Sequence, residues 1–497
     1  MIPGSASIRR SLVVTRIRQS SCVSGVETAY YGTLAVMAEH RGTTTSSYHF
    51  SGIAGQGTSP LARLMRAWGH EVQGSDRAFD QGKQRELAAT LRAIGIRLLP
   101  QDGAAVSPGL DRFVFSTAVE AETPELRAAR TLGIERVPRP ALLAEVVNGG
   151  GPGVAVSGTS GKSTVTGMIG WILRDAGIPA TVLGGAALVG EGVIGCFAAG
   201  PPGGPVVAEA CESDGTLVGY RPGIGLILNI SRDHAEMESL RAQFGTFARQ
   251  CQRLFVNAGS AEARAIGAEV GAKTFGTSPE ADARLVIASP GPDRARGAVT
   301  IDGVRIALDL PQPGAHNLEN AAAAAVVAHA LGVPPATIAR ALTRFPGVAR
   351  RFEIAGITAR GIRVVDDYAH NADKIRAAVA TAQTAGRVVA VFQPHGFGPA
   401  RFLRPELREL LPELLRPTDR FCYAEIFYAG GTVAKDLSSR DLMADLPASL
   451  RAGYAADHPA VVGWVAEEAQ PGDTVLIMGA RDPDLPALAR AVYAALR

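Results

Sequence analysis

Cysteine, lysine and long apolar runs are all scarce in this 497-residue chain. The five cysteines (Cys22, Cys196, Cys211, Cys251 and Cys422) are scattered, with no C-x-x-C pair. That spacing argues against a disulfide framework or a zinc site and suits a reducing cytoplasm. No apolar run approaches the roughly 20 residues of a bilayer-spanning helix. The alanine-rich stretch from Ala321 to Val333 is short and contains His329, so no membrane insertion is expected. A charge surplus is also missing from most of the chain. The net charge is +3, and residues 1–46 account for it, with Arg9, Arg10, Arg16, Arg18 and Arg41 against Glu27 and Glu39. The remainder is neutral, which leaves no electrostatic footprint for nucleic acid. Only five of the 50 basic residues are lysines, so Lys162 persists against a strong arginine bias.

Residues 1–46 are rich in Ser, Thr and Arg and show no sustained periodicity. They read as a disordered tail or as a product of a misplaced start, with Met37 as the alternative first residue; a targeting peptide is the competing reading. Hydrophobic content of 46% and charged content of 20% are those of a globular protein, and the length calls for two to four domains.

What the chain does contain is a phosphate-binding pattern. Val154 to Val165 reads V-A-V-S-G-T-S-G-K-S-T-V, an apolar strand, a glycine turn and the opening of an apolar helix. Gly158 and Gly161 let backbone N–H groups approach phosphate oxygens, and Thr159, Ser160 and Thr164 complete the loop. The helix points its positive end at the same charges. Lys162 is placed to reach the β- and γ-phosphates and Ser163 to ligate Mg²⁺.

Two more strand ends converge on this loop. Val206–Glu209 leads into A-C-E-S-D-G-T, and the strand 225–228 leads into N-I-S-R-D-H. In an open parallel sheet such ends line the ligand crevice. Glu209, Glu212, Asp214, Asp233 and His234 thus join Lys162 and Ser163 as the parts of Mg²⁺-assisted phosphoryl transfer. Singly, Glu212 or Asp214 reads equally as a helix cap and His234 as a loop histidine. Further on, G-A-H-N-L-E-N-A opens another helix; Asn317 and Asn320 share a face of its first turn, suited to an adenine edge or, more plainly, to capping.

Flanking regions repeat the strand–turn pattern. A strand from Tyr48 to Ile53 runs into G-I-A-G-Q-G-T-S, a helix follows from Pro60 to Trp68, and a second strand ends at Gly74-Ser75-Asp76. This is one βαβ unit with an acidic residue about twenty positions past the glycines, where a ribose is met. Beyond Phe345-Pro346-Gly347, three strands end in D-D-Y-A-H-N, Q-P-H-G-F-G-P-A-R and G-A-R-D.

Taken together, H-F-S-G-I-A-G-Q-G, G-S-D, S-T-A, G-T-S-G-K-S-T, E-A-C-E-S-D, N-I-S-R-D-H, H-N-L-E-N-A, R-R-F-E, D-D-Y-A-H-N and Q-P-H resemble the Mur ligases of bacterial cell-wall synthesis, and within them the alanine-adding branch. The resemblance runs from residue 48 to 497. It implies an α/β protein of three domains: a Rossmann-like UDP-binding domain (48–148), a P-loop ATPase domain with a mostly parallel sheet (149–346), and a Rossmann-like C-terminal domain receiving the amine (347–497), after an extension of 1–47. It implies a cytoplasmic, ATP- and Mg²⁺-dependent ligase joining an amino acid, L-alanine favoured, to the carboxylate of UDP-N-acetylmuramate. The alternatives are a ligase that recycles a preformed peptide and a nucleotide-binding regulator without turnover.

By the same resemblance, Gly52, Gly55, Gly57, Ser75, Asp76, Ser116 and Thr117 hold the UDP moiety. Lys162, Glu212 and His234 are the catalytic set, and Ser163, Glu212 and His234 the metal ligands. Asn317 and Asn320 face adenine, and Arg351 and Asp367 close over ATP. His370, His395 and Arg401 lie on the amino-acid side. Asp233 to Phe255 holds no lysine that could be carbamylated, as in the alanine-adding branch. That branch carries H-R-Y-x-R after Q-P; here the run is H-G-F-G-P-A-R, with Gly396 in place of the first arginine, which leaves Arg401 as the candidate carboxylate partner. Thr58, Pro60 and Ser160 are further departures.

Overall fold

The structure, a computed structural model, describes residues 45–116, 122–149, 151–191, 197–213, 215–231, 236–428 and 435–497. Thr45–Arg497 forms one compact unit built on three sheets of five, ten and six strands. Thr117, Asp214, Asp233 and His234 lie outside the described residues.

The first sheet is wholly parallel, in the order Arg97–Leu98, Glu71–Ser75, Ser47–Ser51, Arg112–Phe115 and Glu135–Pro138. Chain order reverses between Ser47–Ser51 and Arg112–Phe115, the switch point at which such sheets bind ligands. The first strand ends two residues before the sequence pattern suggests, because Gly52 turns the chain at φ +77°. Gly52 and Ile53 then both donate to the carbonyl of Ser75 (2.9 and 3.1 Å). A Cβ on Gly74 would lie 2.7 Å from the Phe50 carbonyl, so only glycine permits this approach.

The central sheet places Gly153–Ser157 between Val206–Glu209 and Ile224–Ile227, all parallel. Every residue of Gly153–Ser157 is buried, as expected for a strand covered on both faces. Val154 and Val156 pack with Val165, Met168 and Ile169 of the helix Lys162–Asp175. Ala155, pointing the other way, joins Phe244 and Phe247 of the helix Met237–Gln250. The helix Ala315–Ala330 packs against Lys162–Asp175; its buried run from Ala321 to Ala325 offers no bulk to hold the two apart. Three further strands extend the sheet as an antiparallel ladder from Ala283 to Leu310.

The third sheet runs Glu353–Ile357, Arg363–Asp367, Thr474–Gly479, Val388–Gln393, Arg420–Ala424 and Gly453–Ala455, parallel except for its first strand. The strand Arg363–Asp367 includes both aspartates of the D-D-Y motif, which places Asp367 at its tip. Polar contacts tie the lobes together: Trp68 Nε1 donates to the Gly200 carbonyl at 3.0 Å, and Arg363 pairs with Asp293.

Candidate active site

The phosphate loop owes its shape to glycine and asparagine. Gly158 and Gly161 adopt φ of +135° and +86°, and a Cβ on Gly161 would sit 2.6 Å from Asn320 Oδ1. Asn229, the first residue of N-I-S-R-D-H, braces the loop from the neighbouring strand. Its Oδ1 accepts from Ser160 N and Thr159 Oγ1, both at 2.8 Å, while its Nδ2 donates to the Ser160 carbonyl at 3.1 Å. Ser160 Oγ is buried and has no hydrogen-bond partner among the described residues. A phosphate oxygen is the kind of acceptor that would satisfy it.

Lys162, 9% exposed, donates from Nζ to Glu212 Oε2 at 2.7 Å and to the Gly158 carbonyl at 2.5 Å. Burial alone would lower its pKa; the charges of Glu212 and Glu209 outweigh that and hold it above the ordinary lysine value. Ser163 Oγ donates to Glu209 at 3.0 Å, and Glu209 Oε2 also accepts from Gly185 N at 2.9 Å. A hydroxyl and two carboxylates beside a phosphate loop form an oxygen donor set of the kind Mg²⁺ takes. Glu212 is therefore an ion-pair partner rather than a helix cap. Asn317 is no N-cap either: Gly314 holds that position, and Asn317 Nδ2 donates to the Pro313 carbonyl at 2.7 Å.

A cavity of about 760 Å³ lies between this loop and the third lobe. Lys162, Ser163, Glu212, Asn317 and Asn320 line one side; Arg351, Asp367, His370, Lys374 and His395 line the other. The third-lobe wall is built around a strained turn. Arg350 and Phe352 both have positive φ (59° and 54°), uncommon for bulky residues. Asp367 clamps the turn, accepting from Phe352 N and Ala369 N, both at 2.7 Å. Burial raises the Asp367 carboxyl, opposed by the charge of Arg351. Burial likewise pushes Asp366 up to about 6, against the pull of Arg350. The Arg351 guanidinium lies 4.5 Å from the centre of the Tyr368 ring. His370 and His395 meet edge to face at 5.3 Å.

Arg401 is not in this lining. It pairs with Asp436, so the candidate carboxylate partner is engaged outside the cavity lining. In the first lobe, Gly52, Gly55, Gly57 and Ser116 cluster at the switch point. Two of their expected companions are engaged otherwise. Asp76 caps Arg77–Asp80 through Ala78 N and also accepts from Ala54 N, both at 2.9 Å, so it clasps the glycine loop to the second strand. Ser75 is fully buried and donates to Glu125 Oε1 at 2.5 Å.

Several participants had no role assigned by their motifs. Lys374 lies three residues past the end of D-D-Y-A-H-N, and its scarce residue type was the only signal. His316, half-buried on the helix opposite Thr381, is pushed down to about 4 by burial and is neutral at pH 7. Arg481, at the end of Thr474–Gly479, lines the cavity with φ +65°.

A phosphate loop with Mg²⁺-type donors, facing a polar wall from another lobe across a shared cavity, defines a nucleotide-dependent enzyme of multi-domain α/β architecture. Comparison with known proteins places it further. Residues 47–150 match the Mur ligase family catalytic domain, 156–328 the Mur ligase middle domain and 350–481 the Mur ligase glutamate ligase domain. The chain belongs to the Mur ligase family. It is 37% identical over 457 residues to a UDP-N-acetylmuramate–L-alanine ligase of Kineococcus radiotolerans, covering 87% of this chain and 93% of that one. A protein of the same name from Phenylobacterium zucineum is 34% identical over 464 residues, covering 87% and 92%. Among solved structures, a UDP-N-acetylmuramate-alanine ligase from Thermotoga maritima superposes with a TM-score of 0.71 at 25% identity, covering 90% of this chain and 98% of that one. A murein peptide ligase from Psychrobacter arcticus shares the fold, with a TM-score of 0.65, 22% identity and coverage of 91% and 98%. No helix among the described residues is long and apolar enough to cross a membrane.

Proposed function

We propose that the protein joins L-alanine to the carboxylate of UDP-N-acetylmuramate at the expense of ATP, supplying a precursor of peptidoglycan. The observation that carries this reading is the shared cavity, which sets Lys162, Ser163 and Glu212 across from a third-lobe wall able to receive an amine. Similarity to the alanine ligases over 87% of the chain supports the substrate assignment. We assign UDP binding to the first lobe, nucleotide chemistry to the second and amine binding to the third, with boundaries near residues 148 and 346.

A carboxylate is a poor acyl donor, since its leaving group would be oxide. Its oxygen attacks the γ-phosphorus of ATP, ADP departs, and an acyl phosphate forms. The neutral amine then attacks the carbonyl carbon, the tetrahedral intermediate expels phosphate, and the nitrogen loses its proton. Two anionic oxygens meet in the first step, and Lys162 supplies countercharge in a site where low polarizability makes it count. Ser163, Glu209 and Glu212 would hold Mg²⁺, with His234 as a further ligand, and the ion would supply charge neutralisation at the phosphates. Asn317 and Asn320 flank adenine. Arg351 and Asp367 close the cavity and exclude water from the acyl phosphate.

The test follows phosphate release from Mg-ATP and UDP-N-acetylmuramate with alanine, glycine, serine or a peptide as the amine. Release with alanine is expected. Release with peptide alone would make the protein a recycling ligase, and no release with any amine would make it a regulator.

A further inference from the structure

The pairing of Arg401 with Asp436, outside the cavity lining, leaves open what holds the carboxylate of the incoming amino acid. An amino acid bound beside an acyl phosphate brings its own negative charge into a crowded anionic site. A cation on the amine side has to meet that charge.

The third-lobe wall of the cavity carries three cations: Arg351, Lys374 and Arg481. Arg351 is committed to the face of Tyr368 beside the Asp367 clamp. Arg481 follows the tip of the strand Thr474–Gly479 in a left-handed conformation. Lys374 lies in the first turn of Ala372–Gln383, where the N-terminal end of the helix also favours an anion. The cap is in place: Asn371 Oδ1 accepts from Lys374 N at 3.0 Å.

One contact of the ammonium is with a histidine on the same wall. His370 Nδ1 lies 2.8 Å from the Tyr368 carbonyl, which can only accept, so that nitrogen carries the proton. Nε2 then presents its lone pair, and Lys374 Nζ donates to it at 3.3 Å. His395 meets the same imidazole edge to face. Lys374 thus meets an imidazole on the wall opposite the phosphate loop.

We propose that Lys374 binds the α-carboxylate of the incoming amino acid, setting its amine toward the acyl phosphate and acting as a specificity-determining residue. The assignment rests on the ligase reading above. It selects for amines with an adjacent carboxylate: a free amino acid qualifies, whereas a peptide, whose carboxylate lies further from the nucleophilic nitrogen, does not.

The experiment separates the two half-reactions in the full-length protein. Hydroxylamine traps the acyl phosphate as a hydroxamate and needs no amino acid. The KM for L-alanine reports the amine site, and L-alaninamide serves as the probe lacking a carboxylate. Lys374→Met should raise the alanine KM about tenfold or more while the loss stays off the hydroxamate reaction. It should also erase the preference of the wild type for alanine over alaninamide. Lys374→Arg should restore part of the alanine affinity. An unchanged alanine KM in Lys374→Met, or a KM that moves only in Arg481→Met, overturns the assignment. No hydroxamate from the wild type overturns the ligase reading itself, and this proposal with it. Hydroxamate with an unaltered alanine preference in Lys374→Met overturns this proposal alone.

Discussion

Lys162 Nζ lies 2.7 Å from Glu212 Oε2, and both side chains are almost wholly buried. The pair joins the tips of two adjacent strands, so the cation proposed to bind phosphate waits against the carboxylate proposed to hold the metal. Binding of Mg-ATP would replace this direct pair by a phosphate and an ion between the same two groups. Removing either partner leaves the other charge buried alone, which costs far more than a surface pair would.

Lys162→Met should therefore lower turnover at least about 100-fold, in line with loss of a group that meets developing charge. Phosphate release from Mg-ATP with UDP-N-acetylmuramate and alanine measures it, and a variant within tenfold of wild type would remove Lys162 from the chemistry. A parallel urea titration checks that Met, which fills the same space, keeps the lobe folded.

Ser163 Oγ touches Glu209 rather than a backbone group, so its loss should register in metal dependence. Ser163→Ala is expected to raise the Mg²⁺ concentration for half-maximal rate about tenfold, with EDTA abolishing activity in both proteins. An unaltered Mg²⁺ titration would place the ion elsewhere.

Asn317 and Asn320 are linked by a 3.5 Å contact, and Asn320 also packs on Gly161. Asn320→Ala should raise the KM for ATP about tenfold and reduce discrimination against GTP, because an amide reads a purine edge through both donor and acceptor. Loss of discrimination without change in UDP-substrate KM is the diagnostic outcome.

Much of this was legible in the sequence. Gly158, Gly161, Lys162 and Ser163 carry their geometry in their spacing, and Val206–Glu209 ends where its apolar run does. The third-lobe wall was less so. Arg401 has the right residue type but lies on the helix Phe397–Leu414, where Asp436 claims it; only the packing of that helix decides this. Lys374 shows the reverse, since nothing in its spacing says that its helix begins at the cavity. Ser75 and Asp76 followed the glycines at the expected distance, yet a buried glutamate 50 residues beyond Ser75 fixes one, and backbone N–H groups the other. Long-range pairings of this sort leave no periodic trace.

That glutamate supports the final prediction. Glu125 is fully buried beneath the first-lobe switch point, and three donors converge on it: Ser51 and Ser75 at 2.5 Å and His49 Nε2 at 2.9 Å. Gln73 orients the imidazole. Its Oε1 accepts from Arg97 at 2.8 Å, so its amide nitrogen faces His49 Nδ1 at 3.2 Å and leaves the ring proton on Nε2, toward Glu125. Burial alone would raise the Glu125 carboxyl, but His49 and the two serines outweigh it and hold it below the ordinary glutamate value. A carboxylate whose folded pKa is depressed contributes stability that is present in full above its unfolded value of about 4.3 and is lost as pH falls through the folded value. Glu125→Gln removes the titrating group and weakens three charge-assisted bonds, so it should cost about 1–3 kcal/mol near neutrality. The gap from wild type should narrow as pH drops from about 5 toward 3, because the wild type then loses the same charge. Calorimetric unfolding of both proteins across that range checks it. A gap that stays constant with pH would mean that the folded and unfolded states bind this proton equally, and a gap that widens as pH falls would mean that Glu125 is protonated in the folded protein, with the hydroxyls of Ser51 and Ser75 holding the glycine loop without an anion beneath them.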